Sequence, residues 1–569
     1  MTSSSRVSFV SLVLAALLCQ GCPKKDNAQS DPTATTAGPA PSAVGAAGDV
    51  HVRIAYGSEK KTWLEEQAKA FLATSPKTAA GHAIRIDLDA MGSGEAMQGI
   101  LAGTEKATVY SPASSAYINL INDAFKAKSA TAKTIAPTGD VLLTSPVVIA
   151  VWKPMATALG WPQKNVSWAD LAKFGADPKG WSKFGFPEWG QLKLGHTHPE
   201  YSNSGLLAIL AEAYAGAGKT RGLTLADLDA APTKKLLESI EDTMVHYGKS
   251  TGFFADKMQE RGPSYISAAV MYENLVIESY AKTSSNPPLV AMYPKEGTFW
   301  SDHPYSILDA DWSGAEQKEG AQSFLAFLKA KPAQTRALEL GFRPGDATIP
   351  IGAPIDAAHG VDAKQPQTLL DVPDAAILNK LIAVWRSLKK GSDIVLVFDK
   401  SGSMNGKPLS EAKKGADAFL QSLADVDQAS LLFFDQVVYP PVGPLKMGSN
   451  RVALQSRVDA SVAGGGTALY DAIGTAYDQL KSRDPKQRRI RAVLVMTDGN
   501  DESSKMSLQD LRAKLPSGGE SEIRVFAIAY GDQANGDILT QIAEAAGGTS
   551  AKGTVENIGQ IYTDMAAFF

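Results

Sequence analysis

Apolar, β-branched runs of strand length alternate with helix-length amphipathic stretches from Val50 onward, and that alternation excludes most architectures at once. "VHVRIAYG" runs into "KKTWLEEQAKAF", where Leu64, Ala68 and Phe71 share one helical face. "AIRIDLDAM" follows with a Gly92-Ser93-Gly94 turn and a second helix, and "LLTSPVVIAVW" supplies a further strand. Such alternation requires crossover connections, so the fold class is α/β with mainly parallel sheets. At 569 residues the chain exceeds what one core supports, and at least two domains are expected.

Charge is balanced, with 56 Lys and Arg against 60 Asp and Glu. Nothing in that balance favours a nucleic acid as partner. Both cysteines, Cys19 and Cys22, lie at the N-terminus, so no disulfide framework is available to the body of the chain. Arg6 followed by the apolar run from Val7 to Leu18 reads as a signal peptide. "LLCQGCPKK" resembles a bacterial lipoprotein cleavage site, which implies lipid on Cys22, with Cys19 at the position that is usually leucine. Residues 1–22 are then the lipoprotein signal and 23–48, rich in Pro, Ala, Gly and Thr, a flexible tether. The expected location is the bacterial cell envelope, on the outer side of a membrane.

Residues 49–346 form the first folded region. Ser58, Ser93 and Ser145 follow or end strands, where α/β sheets bind ligands against helix N-termini. The order "YGSEKKTWLEEQAKAF", "DAMGSGEAMQGILAG", "LLTSPVVIAVWKPMATALGW", "GHTHPEYSNSGLLAILAEAY", "AAVMYENLVIESY" and "LVAMYPKEGTFWSDHPYSIL" resembles periplasmic solute-binding proteins of the two-lobed type 2 kind. That resemblance implies two α/β lobes joined by crossover strands, with a small solute clamped between them. It places Ser58, Ser93, Ser145, Ser202, Ser204 and Tyr272 in the cleft, and it implies delivery of the solute to an ABC importer. Within "GHTHPEYSNSG", His196, His198 and Glu200 offer zinc-ligand chemistry, but the Pro, Ser, Asn and Gly around them favour a loop with cleft-lining or exposed histidines.

Residues 347–390 read as a linker followed by a helix leading into the second domain, with Ile377, Leu381, Val384 and Leu388 on one face. Residues 391–569 then give a second α/β unit of ordinary domain length, an open doubly wound sheet. Its first strand, "SDIVLVFD", is apolar on both faces and ends in "KSGSMNGKP". A phosphate loop is excluded there, because the glycines are one residue too close and Pro408 stands where a hydroxyl is needed. A nucleophile elbow is also excluded, since G-x-S-x-G is not matched and no histidine occurs from Gly391 to Phe569.

Asp399, Ser401 and Ser403 alternate, so an extended loop presents three oxygens to one side, the chemistry of a hard cation such as Mg²⁺. D-x-S-x-S resembles the metal-ion-dependent adhesion site of von Willebrand factor type A domains. The resemblance adds Thr467 in "GGGTALYDAI" and Asp498 in "VLVMTDGND". It implies Mg²⁺, Mn²⁺ or Ca²⁺ held by these five residues, with a position left for an Asp or Glu of a partner protein. The expected function is a lipid-anchored envelope binding protein with a solute cleft and a docking site. The alternatives are an importer receptor whose second domain docks the permease, and an envelope hydrolase, which the missing nucleophile and base disfavour. No enzymatic activity is expected.

Overall fold

The computed structural model describes residues 48–128, 134–282, 285–484, 487, 489–515, 523–531, 534–554, 557–566 and 568–569. The signal peptide, Cys22 and the tether up to residue 47 lie outside the described residues.

The first folded region contains twelve described strands in two sheets. In chain order they are β1 (Val50–Gly57), β2 (Ile84–Met91), β3 (Val109–Ser111), β4 (Asp140–Val141), β5 (Leu143–Trp152) and β6 (Leu194–Thr197), then β7 (Met244–Gly248), β8 (Ala268–Tyr272), β9 (Leu289–Met292), β10 (Trp300–Ser301), β11 (Pro304–Ile307) and β12 (Arg343–Pro344). The first lobe orders its strands β2-β1-β3-β11-β4, and the second orders them β10-β5-β8-β6-β7 with β9 and β12 also on β5. Residues 140–152 and 300–307 each pass from one sheet to the other, and after β11 the chain returns to the second sheet at β12, so it passes between the lobes three times.

Those crossings qualify the expectation of mainly parallel sheets. β1 is parallel to β2 and β3, and β6 is parallel to β7 and β8. β5 instead runs antiparallel to β8, β9, β10 and β12, because it enters the second lobe from the first rather than from a helix within it. Ser145 consequently lies near the start of β5 and not at its carboxyl end.

The second domain has one sheet of six described strands, β13 (Ser392–Asp399), β14 (Gln428–Phe434), β15 (Val442–Lys446), β16 (Ile490–Thr497), β17 (Ile523–Tyr530) and β18 (Ser550–Gly553), in the order β15-β14-β13-β16-β17-β18. All pairs are parallel except the antiparallel edge pair of β14 and β15. β13, β16 and β17 are buried along their whole length, as continuous apolar runs covered on both faces should be.

The helix Ala375–Leu388 departs from the reading of a segment leading into the second domain. Ile377, Leu378, Leu381, Val384 and Trp385 are buried, and its neighbours are the helices Ala116–Lys128, Asn203–Ala217, Leu225–Asp229 and Ala231–Glu241 of the first region. Trp385 Nε1 donates to Glu241 Oε1 at 2.8 Å, and Arg386 Nε to Glu200 Oε2 at 2.7 Å. The apolar face was legible in the sequence, but its periodicity says nothing about which core receives it. The hand-over comes immediately after: Lys389 Nζ donates to Asp427 Oδ1 of the second domain at 2.9 Å, while Lys390 Nζ donates to Met244 O of β7 at 2.8 Å. Across the same junction Arg261 Nη2 donates to Gly548 O at 2.6 Å, and Phe568 packs against His246.

Candidate functional sites

At the boundary between the lobes, each lobe seals a helix N-terminus of the other. The helix Ser93–Ala102 of the first lobe starts on a Gly-Ser-Gly turn, and its Gly94 and Glu95 N–H groups donate to Tyr201 O of the second lobe at 2.9 and 3.1 Å. In the other direction, Ser58 Oγ of the first lobe accepts from Gly252 N, in the first turn of Thr251–Arg261, at 3.0 Å and donates to Ser250 Oγ at 3.0 Å. Free N–H groups at a helix start are the usual docking place for oxygen ligands, and here chain oxygens take that place. The approach is close enough to require glycine. A Cβ at Gly92 would lie 2.1 Å from Tyr201 O, and one at Gly94 2.0 Å from Glu200 O.

All six residues assigned to the cleft are buried. Ser202 and Ser204 join through Thr251, at 3.1 and 2.9 Å, and Thr251 adjoins the Ser250 that bonds Ser58. Tyr272 OH accepts from Asn203 Nδ2 at 2.9 Å, and the same amide reaches Ser301 Oγ at 3.1 Å. Ser145 Oγ bonds Asn274 Oδ1 at 3.1 Å, and Asn274 Nδ2 reaches back to Glu59 O at 3.4 Å. Ser93 Oγ accepts from Ala113 N inside its own lobe.

The sequence reading missed the charged centre of this boundary. Lys60 is fully buried, 2.8 Å from Glu59 Oε1 and 3.3 Å from His303 Nδ1. Burial works against the charge on Glu59, but Lys60 and His303 outweigh it and hold the carboxyl down at about 2. Burial lowers the pKa of Lys60 and of His303. The signal was present in "GSEKK", a charged pair directly after the turn that ends β1. Nearby, Asn203 Oδ1, His303 Nε2 and Ser111 Oγ are buried with no hydrogen-bond partner, an uncommon concentration of unspent capacity.

The histidine run does not converge on a metal. His196 lies in β6 rather than a loop, and both its ring nitrogens face acceptors, Thr197 O at 2.6 Å and Glu241 Oε1 at 3.1 Å. His198 packs against Trp385, Tyr201 and Tyr247, and Glu200 is taken by Arg386. Among the described residues, no three His, Cys, Asp or Glu side chains are grouped to hold a metal ion.

A set relying on hydroxyls lies at the carboxyl edge of the third sheet. β13 ends at Asp399 and β16 at Thr497, so Asp498 starts the neighbouring loop. Asp399 Oδ1 accepts from Ser401 N at 2.8 Å, and its Oδ2 accepts from Thr497 Oγ1 at 2.5 Å. Ser401 Oγ and Ser403 Oγ are 3.0 Å apart, and Ser403 Oγ donates to Asp498 Oδ1 at 2.7 Å. Thr467 comes from the loop before the helix Leu469–Lys481. A Cβ at Gly499 would lie 3.3 Å from Thr467 Oγ1 and 3.8 Å from Ser403 Oγ, which places both hydroxyls around one point. Burial pushes the Asp399 carboxyl up to about 6, helped by the Asp498 charge and resisted by the Thr497 and Ser401 bonds. Asp498 is raised for the same leading reason. Two carboxylates and three hydroxyls, all oxygen, short of positive charge, fit a hard dication.

The model of the bacterial extracellular solute-binding protein family matches residues 52–343, half of the chain. The chain belongs to that family. A von Willebrand factor type A domain model matches residues 393–563, so the protein joins a solute-binding region to a von Willebrand factor type A domain. An uncharacterized protein of Synechocystis sp. is 27% identical over 158 residues, 28% of this chain and 36% of the relative. Human inter-alpha-trypsin inhibitor heavy chain H4 is 22% identical over 166 residues, 28% of this chain and 18% of the relative. The chain thus spans well under half the length of either. Among solved structures, the periplasmic binding protein P5PA matches with a TM-score of 0.42 at 13% identity, over 60% of this chain and all of that one. A von Willebrand factor type A structure from Catenulispora acidiphila matches with a TM-score of 0.26 at 20% identity, over 32% of this chain and 42% of that one.

Proposed function

We propose that this solute-binding protein acts in the bacterial envelope, tethered by lipid on Cys22, and uses its von Willebrand factor type A domain to dock a partner protein through a divalent cation. The observation that carries the docking reading is the convergence of Asp399, Ser401, Ser403, Thr467 and Asp498 on one sheet edge. These residues would hold Mg²⁺, or Mn²⁺ or Ca²⁺, and the cation would offer a coordination position to an Asp or Glu of the partner. Asp399 is anchored by Thr497 and by the Ser401 amide, so its carboxylate is oriented before any cation arrives. Ser403 is exposed, at the side from which a partner would approach. Calorimetric titration of the full chain with MgCl₂ should show one site that Asp399→Ala abolishes. Unchanged binding in that variant would refute the assignment.

For the cleft, the reading is a small polar solute held by Ser58, Ser93, Ser145, Ser202, Ser204 and Tyr272 together with Lys60 and Asn203. Support comes from the unpartnered Asn203 Oδ1, His303 Nε2 and Ser111 Oγ at the lobe boundary. A thermal-shift screen of oxyanions, sugars, amino acids and metal ions should find a stabilising compound whose effect disappears in Asn203→Ala. Delivery of that solute to an ABC importer is the transport form of the same proposal. Lipid attachment is tested by fractionation, where Cys22→Ala should move the protein from membrane to soluble fractions.

A further inference from the structure

The cation site carries a charge of the wrong sign within its own motif. Lys400 stands between Asp399 and Ser401, and an ammonium left beside those oxygens would repel a dication. The neighbouring strand takes it up. β13 and β14 run parallel with Asp399 opposite Phe434, and Lys400 N donates to Phe434 O at 2.9 Å, so the next residues, Lys400 and Asp435, meet just past the sheet edge. Asp399 leans the other way, its Oδ2 accepting from Thr497 of β16.

Lys400 Nζ donates to Asp435 Oδ2 and, at 3.1 Å, to Tyr439 OH, and it lies 4.2 Å from the centre of the Tyr439 ring. Tyr439 OH donates in turn to Asp435 Oδ2 at 2.7 Å, and Val437 N donates to Asp435 Oδ1 at 3.0 Å. The carboxylate is thus fixed at both oxygens where it receives the ammonium. Only 16% of the Lys400 side chain and 4% of the Asp435 side chain are exposed. Burial opposes both charges, but the bonds to Asp435 and Tyr439 raise the lysine and the bond from Lys400 lowers the aspartate, so the pair stays ionised at neutral pH.

The same residues join the loops that supply the site. Ala468 N, next to Thr467, donates to Asp435 O at 2.7 Å, and Gly464 N donates to Lys400 O at 2.9 Å. Gly402 N donates to Gly465 O at 2.8 Å, which closes the Asp399 loop onto the Thr467 loop.

We propose that Asp435 and Tyr439 are positioning residues for the cation site: they hold the Lys400 ammonium on the β14 side of the edge and cancel its charge, so that the carboxylates of Asp399 and Asp498 face the cation unopposed. This rests on the reading of Asp399, Ser401, Ser403, Thr467 and Asp498 as a divalent-cation site. It makes Lys400 and Asp435 a matched pair. Loss of the carboxylate alone releases an ammonium beside the cation, whereas loss of both charges restores the balance of the parent.

Calorimetric titration of the full chain with MgCl₂ at fixed ionic strength reads the affinity, and melting temperatures taken without metal show that each variant is folded. Asp435→Asn should weaken Mg²⁺ binding about tenfold or more. Adding Lys400→Gln to it should bring the affinity back to within about threefold of the parent, and Lys400→Gln alone should bind at least as tightly as the parent. Tyr439→Phe keeps the ring over the ammonium, should weaken binding about threefold, and takes the place of Asp435→Asn should that variant not fold. An ion pair that only supports the fold would leave the double variant as weak as Asp435→Asn. The proposal is overturned by that result, by parent-like binding in Asp435→Asn or in Tyr439→Phe standing in for it, or by weaker binding in Lys400→Gln alone. A parent that binds no Mg²⁺ overturns the cation-site reading itself, and this proposal with it.

Discussion

Gly94→Ala is a wedge aimed at the lobe boundary. The added Cβ would sit 2.0 Å from Glu200 O and 3.1 Å from Tyr201 C, both backbone atoms of the opposite lobe. Ordinary contact begins more than about 1 Å further out, so the lobes must part or the backbone must strain. Overpacking of this kind costs about 1–3 kcal/mol. Separation also removes the two bonds from Gly94 N and Glu95 N to Tyr201 O, about 1 kcal/mol each. The combined penalty on the closed arrangement is about 3–5 kcal/mol, which lowers the closed-to-open ratio by roughly two to four orders of magnitude. Small-angle scattering of the full chain should show a larger radius of gyration, and hydrogen exchange should speed up at the Gly94 and Glu95 amides. Gly205→Ala is the control, because its Cβ would meet Thr197 O at 1.9 Å within the second lobe. It should lower the melting temperature without opening the lobes. An unchanged radius and unchanged exchange in Gly94→Ala would refute the claim that Tyr201 O seals this helix.

Three further outcomes are expected. Asp399→Asn removes a carboxylate whose folded pKa is raised to about 6, so above pH 6 the charged form destabilises the metal-free fold; about 2 pKa units above the ordinary value is worth about 3 kcal/mol, less about 1 for the acceptor lost. Metal-free urea denaturation at pH 7.5 should find the variant more stable by about 2 kcal/mol and insensitive to added Mg²⁺; equal or lower stability would contradict the burial argument. His198 and His246 are buried at the domain junction with lowered pKa values, by burial first, and then by Lys389, His196 and Arg386 for His198 and by Arg524 and Arg261 for His246. The unfolded chain therefore binds protons that the fold refuses, and stability should fall as pH drops below about 6.5, by about 1.4 kcal/mol per unit for each histidine. A melting temperature flat from pH 7.5 to 5.5 would sink this reading. Trp385→Ala empties a fully buried position and takes a donor from Glu241, and should cost about 3–5 kcal/mol in denaturant titration; a loss under 1 kcal/mol would mean that the helix Ala375–Leu388 is not seated as described.

Periodicity made the α/β class visible, along with the buried runs of β13, β16 and β17 and the inward faces of the helices, because each is a local pattern that one face of one element imposes. The D-x-S-x-S run was visible as a motif, but the extended loop expected of it is not found: Gly402–Met404 is a single 3-10 turn, which still leaves Ser401 Oγ and Ser403 Oγ 3.0 Å apart. β15 and β18 were not read, as neither carries an apolar run: Val442–Lys446 is a partly exposed edge strand and Ser550–Gly553 a short one. Lys60 escaped for a different reason. Lysine in a sequence signals solvent, and only the tertiary arrangement, with Glu59 beside it and His303 arriving from 243 residues away, makes its burial tolerable.

The same limit applies at the junction, and there it bears on how the two domains interact. Glu241 collects His196, Tyr247 and Trp385, one residue each from β6, β7 and the helix Ala375–Leu388, at distances of 2.6–3.1 Å. From that helix the chain takes three residues, Lys389, Lys390 and Gly391, to reach β13, whose far end is Asp399. Lys389 bonds Asp427 on the second domain while Lys390 bonds β7, so a shift of β7 has a direct route to β13. β7 ends next to Ser250 and Thr251, which bond Ser58 and Ser202 at the lobe boundary. A contiguous path of hydrogen bonds and packed strands therefore connects lobe closure to the strand that carries Asp399, and coupling requires that this path have two arrangements that solute and cation bias differently. Mg²⁺ affinity measured in Gly94→Ala decides the matter: a parted boundary that leaves the affinity unchanged separates the two sites energetically, and a changed affinity makes the junction the route between them.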